Sequence, residues 1–273
     1  MNLGVQIVSF SVMLTLAFVY FTNKHIKLLS TRIYTLYLSV SLVFSFMEAF
    51  TIYTLYNIDT IPPLVNRLAH QLFICTLVLI LMFLFIYVDI LTRKQKRYKA
   101  AELIVRILPA VFAFVMTAFG NIEYHVGDDG MYSYGPVVTV LYCCLCVYVL
   151  WTVITIIRRR RTIPGHLMII VLCGVSGWVA IGIVQIFNPT LLIESMGVSL
   201  MQLFIFLSIE NPREYNDADV NGALNRHAFE MMLNECCENG KEFYVVTFTL
   251  TNSELLKNSV GVNEVYNLSL IHI

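Results

Sequence analysis

Long apolar runs separated by short polar segments dominate this chain. A helix that crosses a lipid bilayer needs about 20 mostly apolar residues, and seven stretches meet that requirement. They cover residues 3–21, 33–56, 71–91, 103–119, 137–157, 167–187 and 191–209. The pattern predicts a membrane all-α fold, with a seven-transmembrane helix bundle over residues 1–209. A tight turn around Asn188 and Pro189 would separate the last two helices, because proline favours a break there.

The composition supports a location in the bilayer. Hydrophobic residues make up 58% of the chain and charged residues 13%, about half the charged share of a soluble domain. Lysine plus arginine and aspartate plus glutamate both number 18, so the net charge is zero. This balance excludes a strongly basic nucleic-acid-binding protein. We expect the lipid bilayer, and not nucleic acid, as a partner.

Basic residues in the connections predict the orientation, because cytoplasmic loops are rich in lysine and arginine. The first, third and fifth connections carry nearly all of them: Lys24, Lys27, Arg32, Arg93, Lys94, Lys96, Arg97, Lys99 and residues 158–161. The fourth connection instead carries Glu123, Asp128 and Asp129. The odd connections are therefore expected in the cytoplasm. Seven crossings of the plasma membrane would then place the N-terminus outside and the C-terminus inside.

Two glutamates lie within the apolar segments, Glu48 in the second and Glu194 at the start of the seventh. An ionised carboxylate costs about 3 kcal/mol at the centre of a membrane helix, so Glu48 is expected to face the bundle interior. One hypothesis places both glutamates in an outward-facing sensor pocket, with Asp128 and Asp129 near its mouth. The alternative is a hydrogen bond between helices that only holds the bundle together.

Two further features concern helix packing. Asp89 and Arg106 lie near the cytoplasmic ends of the third and fourth segments, where snorkelling to the interface is preferred over pairing across the hairpin. In the sixth segment, Ser176 and Ala180, four residues apart, give a small-residue face for close packing, with Gly174, Gly177 and Gly182 nearby. No cluster with metal-ligand spacing is present, and no metal site is predicted.

After residue 209 the pattern becomes polar. An apolar face at helical spacing predicts a helix over 223–238, formed by Leu224, Ala228, Phe229, Met232 and Leu233. Gly240 would end it. The run FYVVTFTL, residues 243–250, predicts a buried strand, and a second helix is expected from about residue 253. This order is typical of the beginning of a cytoplasmic α/β domain.

The stretch DVNGALNRHAF, residues 219–229, resembles the opening of the GGDEF domain of diguanylate cyclases. The matching residues are Asp219, Gly222, Asn225, Arg226 and Phe229, whereas Asn221 and Ala223 depart from the family pattern. The resemblance implies a seven-helix bacterial sensor (1–209), a junction (210–218) and the N-terminal fragment of a GGDEF-like domain (219–267). It also implies cyclic-di-GMP signalling through a homodimer.

The resemblance also implies Mg²⁺ and GTP for an intact family member, held partly by an aspartate at the end of the first strand. Thr249 stands at that position, and a neutral hydroxyl cannot replace a carboxylate on Mg²⁺. We therefore expect a degenerate domain, no cofactor in this chain and no cyclase activity. The last six residues, 268–273, resemble a translated sequencing adapter and are expected to be non-native.

Two functions follow from these patterns. The first is a membrane signal-transduction protein that senses a small-molecule or membrane cue through its helices and regulates the GGDEF-like domain. The second is a small transporter with a cytoplasmic tail. The lack of an inverted repeat and the few ionisable groups at mid-membrane weigh against the transporter.

Overall fold

The computed structural model describes most of the chain up to residue 246. The described ranges are residues 3–23, 25–26, 28–93, 98–127, 130–161, 165–188, 191–216, 223–240 and 242–246. Eight α-helices and one β-hairpin lie within them. In chain order they are α1 (Gly4–Thr22), α2 (Leu29–Tyr56), α3 (Pro63–Thr92), α4 (Ala100–Phe119), β1 (Glu123–Gly127), β2 (Gly130–Tyr134), α5 (Pro136–Arg158), α6 (Gly165–Phe187), α7 (Glu194–Ser208) and α8 (Arg226–Glu238).

Helices α1 to α6 coincide with the first six predicted segments, and each is long and apolar enough to cross a membrane. Several helices extend beyond their apolar stretch. The longest, α3, has 30 residues and begins at Pro63, eight residues before the predicted start. Proline suits the first helical turn, where its missing N–H has no intrahelical partner. The polar residues after it can therefore stay helical above the apolar core of the segment.

The seventh segment is a helix, but a shorter one than predicted. Helix α7 has 15 residues, which span about 22 Å, whereas the hydrocarbon core of a bilayer measures about 30 Å. Residues 191–193 are not helical. Six helices, and not seven, therefore meet the length requirement in the part of the chain that the structure describes.

Helix α3 forms the centre of the bundle. Of its most apolar stretch 72% is buried, against 17% for α4. It packs against α2, α4 and α5, while α7 packs against α1, α2 and α6. The largest fully buried side chains are aromatic: Tyr20, Tyr34, Tyr37, Phe44, Phe85, Tyr87 and Tyr148. The outer faces expose large apolar side chains such as Phe18, Phe112 and Phe187, as expected for a surface in contact with lipid.

A β-hairpin that the sequence did not predict joins α4 to α5. Strand β1 pairs antiparallel with β2, with Glu123 opposite Tyr134 and His125 opposite Tyr132. The rings of His125 and Tyr132 stack at 4.8 Å between centroids. Gly135 follows at φ 114°, a conformation that favours glycine, and Pro136 begins α5 one residue before the predicted start. Asp128 and Asp129 lie outside the described residues.

The segment after α7 is only partly as predicted. Helix α8 begins at Arg226, three residues later than expected, because Asn225 caps it by accepting a 3.0 Å hydrogen bond from the Ala228 N–H. Gly240 ends it at φ 62°, as predicted. The buried strand predicted from Phe243 is not observed over residues 243–246, which form no strand, and Tyr244 is 94% exposed.

Candidate functional site

Glu48 accepts hydrogen bonds from the first turn of α7. The Ser195 N–H donates to Glu48 Oε1 over 3.1 Å, and the Ser195 hydroxyl donates to Oε2. The N–H of Glu194 is a further donor to this carboxylate. Ile193, the residue before the helix, offers no side-chain cap. Glu48 therefore supplies the missing cap from α2, and its negative charge lies at the positive end of the α7 dipole.

Glu194 lies beside this contact and is 9% exposed. Glu194 and Glu48 are neighbours, because the backbone N–H of Glu194 is a donor to the Glu48 carboxylate. Its Oε2 atom is buried and has no hydrogen-bond partner among the described residues. Tyr142 of α5 also faces Glu194 closely enough to interact with its charge. The two glutamates of the predicted pocket therefore lie next to each other at the N-terminal end of α7, where α2 contacts it.

The contact continues as a row of buried polar residues between α2 and α7, here called the polar seam. On α2 the row comprises Ser41, Ser45 and Glu48, and on α7 it comprises Ser195, Ser199 and Gln202, all at most 4% exposed. These spacings of four and three residues keep each row on one helix face. Gln202 Nε2 donates to Ser41 Oγ over 2.7 Å, across the two helices.

Gln6 closes the seam on the side of α1. Its Nε2 donates to the Leu192 carbonyl, just before α7 begins. Its Oε1 atom is buried without a partner among the described residues, and so are Ser45 Oγ and Gln202 Oε1. Buried polar groups in proteins are usually hydrogen-bonded. Several acceptor atoms around the seam thus remain open to a donor.

Two apolar grooves between α1 and α7 lie on the lipid side of this region. Their volumes are about 390 Å³ and 310 Å³, and both are lined by Val12 and Leu203. Neither is lined by Glu48 or Glu194, so these grooves are separate from the predicted sensor pocket.

A second polar cluster, at the cytoplasmic ends of α3, α4 and α5 in the predicted orientation, was wrongly interpreted from the sequence. Asp89 is 1% exposed and does not snorkel. Arg106 Nε lies 3.2 Å from Asp89 Oδ2, and Arg159 Nη1 lies 2.8 Å from Oδ1. The apolar surroundings favour pairing of the charges over separate burial. Asp89 therefore joins three helices through one carboxylate.

Tyr98 completes the Asp89 cluster from the connection between α3 and α4. Its hydroxyl donates to Asp89 Oδ2 over 2.7 Å, and the guanidinium of Arg93 lies 4.6 Å above its ring. Burial, and then the hydrogen bond to Asp89, raise the pKa of Tyr98 well above its usual range. The phenol therefore stays protonated and remains a donor to the aspartate.

The junction after α7 is anchored inside the bundle. The Tyr87 hydroxyl of α3 donates to Glu210 Oε1 over 2.8 Å, and Glu210 is 5% exposed. Tyr215 donates back to the Ile209 carbonyl. In the sequence, Glu210 belongs to the predicted junction 210–218. Nothing in the local pattern indicates its tyrosine partner, which lies 123 residues away.

Helix α8 is anchored to the connection between α1 and α2. The Glu235 carboxylate accepts from the Leu29 N–H at 3.1 and 3.3 Å, and thereby caps the start of α2. Ala228 of α8 is fully buried against Ile26 and Leu28. Helix α8 therefore contacts the bundle directly.

The residues of the GGDEF-like motif are only partly described. Asn225 caps α8, Arg226 pairs with Glu230 at 2.8 Å on the surface, and Phe229 is 48% exposed. Asp219, Gly222 and Thr249 lie outside the described residues. The structure therefore describes the helical part of the motif, whereas the end of the predicted strand, with Thr249, lies outside the described residues.

Among the described residues, no group of three or more histidine, cysteine, aspartate and glutamate side chains could hold a metal ion. Comparison with family models, with curated proteins and with solved structures returned no match. The fold itself defines the class: a helical, multi-pass membrane protein with a polar seam in its interior.

Proposed function

We propose that this chain is a membrane-bound bacterial signal-transduction protein, in which the helical bundle senses a cue and regulates a GGDEF-like, cyclic-di-GMP-type domain. The observation that carries the proposal is the hydrogen bond from Tyr87 to Glu210. It joins the central helix of the bundle to the junction that leads into the cytoplasmic segment. A rearrangement of the bundle can therefore shift that segment, which is the physical requirement for coupling between two sites.

Contacts at both ends of α7 support this coupling between the bundle and the segment after it. Its N-terminus is held by Glu48, eight residues before the end of α2, and the residues after its C-terminus are held by Tyr87, five residues before the end of α3. Since α2 and α3 run in opposite directions as neighbours, these contacts lie at opposite ends of the bundle. This arrangement supports a seventh crossing, an outside N-terminus and a cytoplasmic C-terminus, despite the shortness of α7.

The docking of α8 supports regulation at the cytoplasmic end. Glu235 and Ala228 contact the connection between α1 and α2. A movement of α1 relative to α7 would therefore displace α8. The proposal includes the plasma membrane as the location and a homodimer as the signalling unit. Mg²⁺ and GTP belong to an intact relative, since Thr249 would leave this chain's own domain without a metal-binding carboxylate.

A reporter fusion tests the proposal. An active diguanylate cyclase domain would replace the residues after 218, and cyclic-di-GMP would be measured in cells. We expect Tyr87→Phe to change the level about fivefold or more, as for a typical coupling energy. Val43→Ala, on an exposed face of α2, is the matched control. Equal output from the parent fusion and Tyr87→Phe, at equal expression, would reject coupling through this contact.

A transporter remains the second candidate, and the polar seam is the observation that favours it. Buried acceptors without partners line the contact of α2 with α7, and polar interiors of membrane bundles mark substrate or ion pathways. Uptake by vesicles that carry the protein, abolished by Glu48→Gln, would favour transport. If the reporter output of Tyr87→Phe equals that of the parent fusion and the vesicles show cation-driven uptake, transport would replace the sensor proposal.

A further inference from the structure

The unpartnered polar atoms around the first turn of α7 share one property: they are acceptors. Glu194 Oε2 and Gln6 Oε1 are both buried, in side chains 9% and 3% exposed, and neither has a hydrogen-bond partner among the described residues. An unsatisfied acceptor in an apolar interior is costly. The missing partner of Gln6 Oε1 must be a donor or a cation, and the same partner would satisfy Glu194 Oε2 in the ionised carboxylate.

The orientation of the Gln6 amide is fixed by its other contact. Its NH₂ group donates to the carbonyl of Leu192, two residues before Glu194. A flipped amide would turn its oxygen toward that carbonyl oxygen, where no hydrogen bond could form. Gln6 Oε1 is therefore an acceptor, held beside the chain segment that carries Glu194.

The two carboxylates at this position are not equally compensated. Glu48 accepts from the N–H groups and hydroxyl of the α7 N-terminus, which offsets its charge. No ion pair among the described residues includes Glu194 or Glu48. The second carboxyl group in this buried contact therefore needs either a proton or a cation to neutralise it.

We propose that Glu194, together with Gln6, binds a small monovalent cationic group, either Na⁺ or a primary ammonium, at the outer end of the polar seam. A divalent ion fits less well, because it prefers several free carboxylates. Large quaternary ammonium groups are excluded by the close packing around side chains that are at most 9% exposed. As the cue that is sensed, this ligand rests on the proposed function, whereas its binding can be measured without any output.

Trp178 offers an optical signal for this site. Its ring lies directly against Gly197, two residues after Ser195 on α7. The chain has two tryptophans, and the other, Trp151, stacks on Phe85 at 5.0 Å. In a Trp151→Phe background, the fluorescence of Trp178 reports on the first turns of α7 alone.

The test uses the full chain in lipid nanodiscs, titrated with NaCl, methylammonium chloride or choline chloride at constant ionic strength. We expect a saturable change of Trp178 emission with Na⁺ or methylammonium and none with choline. A response to Na⁺ alone assigns a metal ion, and a response to methylammonium alone assigns an amine. Identical responses in all three salts would overturn the proposal.

Variants locate the site. Glu194→Gln keeps the side-chain shape and should weaken binding about tenfold or more, equivalent to the loss of one charged contact. Glu123→Gln, on β1, is the control and should bind as the parent does. Unchanged affinity in Glu194→Gln would overturn the proposal. If that variant fails to fold by size-exclusion chromatography, Gln6→Leu replaces it, with the same expectation and the same contrary result.

The cyclic-di-GMP reporter separates this inference from the proposed function. Saturable binding without a change in reporter output leaves the cation site in place and rejects its role as the cue. A second outcome is that the protein binds neither cation, while the reporter output still changes in Tyr87→Phe. That outcome keeps the signalling proposal and rejects the cation site.

Discussion

The phenol of Tyr87 lies 2.8 Å from the carboxylate of Glu210 and donates a hydrogen bond to it within the buried interior. Tyr87 belongs to the central helix α3, and Glu210 directly follows α7. The chain segment that directly follows α7 is thus held against the bundle by this hydrogen bond. Stability and signalling consequences of this contact can be measured separately.

Tyr87→Phe should lower the stability of the bundle. The substitution removes one hydroxyl and leaves a buried carboxylate oxygen without this donor, which costs about 1–3 kcal/mol. Thermal unfolding in detergent micelles would show a lower midpoint than for the parent. Tyr53→Phe, at a side chain 50% exposed, should leave the midpoint unchanged. Equal midpoints for both variants would mean that the Tyr87 hydroxyl contributes nothing to stability.

Asp89→Asn should be among the most damaging substitutions of a single side chain. The neutral amide would leave Arg106 and Arg159 facing each other without their shared carboxylate, and breaking a buried ion pair costs about 3–5 kcal/mol. We expect a marked fall in the yield of monodisperse protein and in the unfolding midpoint. Glu102→Gln removes a partly exposed partner of Arg93 and should cost less. A milder effect at Asp89 than at Glu102 would contradict the assignment.

Gly197→Ala should disrupt the contact between α6 and α7. A Cβ atom at this position would lie 2.6 Å from Trp178 Cδ1 and 3.1 Å from Ile181 Cδ1, and overpacking of this kind costs about 1–3 kcal/mol. Gly177→Ala is the matched control, since nothing lies within 4 Å of the added atom. It should be neutral or stabilising by up to about 1 kcal/mol. Unfolding midpoints of the two variants decide.

The stability of the folded protein should depend on pH through His25, in the connection between α1 and α2. Burial lowers its pKa, although the Tyr20 carbonyl partly opposes this, and its ring stacks on Tyr20 at 3.9 Å. The folded state therefore favours the neutral ring. The contribution of His25 to the stability is fully present above the ordinary histidine pKa of about 6.5 and is lost as the pH falls below that value.

The His25 contribution is measured as the unfolding midpoint at pH 7.5 and pH 5.5. His25→Gln should reduce the difference between the two midpoints, because glutamine does not titrate in this range. His227→Gln, on α8, is a comparison at another histidine. An undiminished difference in His25→Gln would show that other groups carry the pH dependence.

The membrane helices could be predicted because the rule that governs them is local. A run of apolar residues is driven into lipid wherever it occurs, so the positions of α1 to α6 follow from the sequence alone. The same rule predicted that Glu48 faces the interior. It could not supply the partner, because Ser195 is 147 residues away and nothing in either segment specifies the other.

The Asp89 cluster shows what was missed and why. Its arginines come from three separate places, at positions 93, 106 and 159, and each by itself is adequately explained as a cytoplasmic anchor. Only the packing of α4 and α5 against α3 brings them to one carboxylate. The hairpin from Glu123 to Tyr134 was missed for a different reason, since its strands have only five residues each and give too short a pattern between two long membrane segments.

The strand predicted from Phe243 illustrates a limit of propensity. Aromatic and β-branched residues favour a strand only where a neighbouring strand or an apolar face is available. Over residues 243–246 the structure gives these side chains no such partner, and they remain exposed.

The cap that Glu235 provides to α2 has a consequence for the order of assembly in the cell. The carboxylate and the Leu29 amide that it binds are 206 residues apart in the chain. The ribosome therefore inserts the second helix long before its capping group has been made. The first turn of α2 must rely on water or lipid headgroups until Glu235 has been translated, and the fold is fastened near its beginning by a segment that emerges much later.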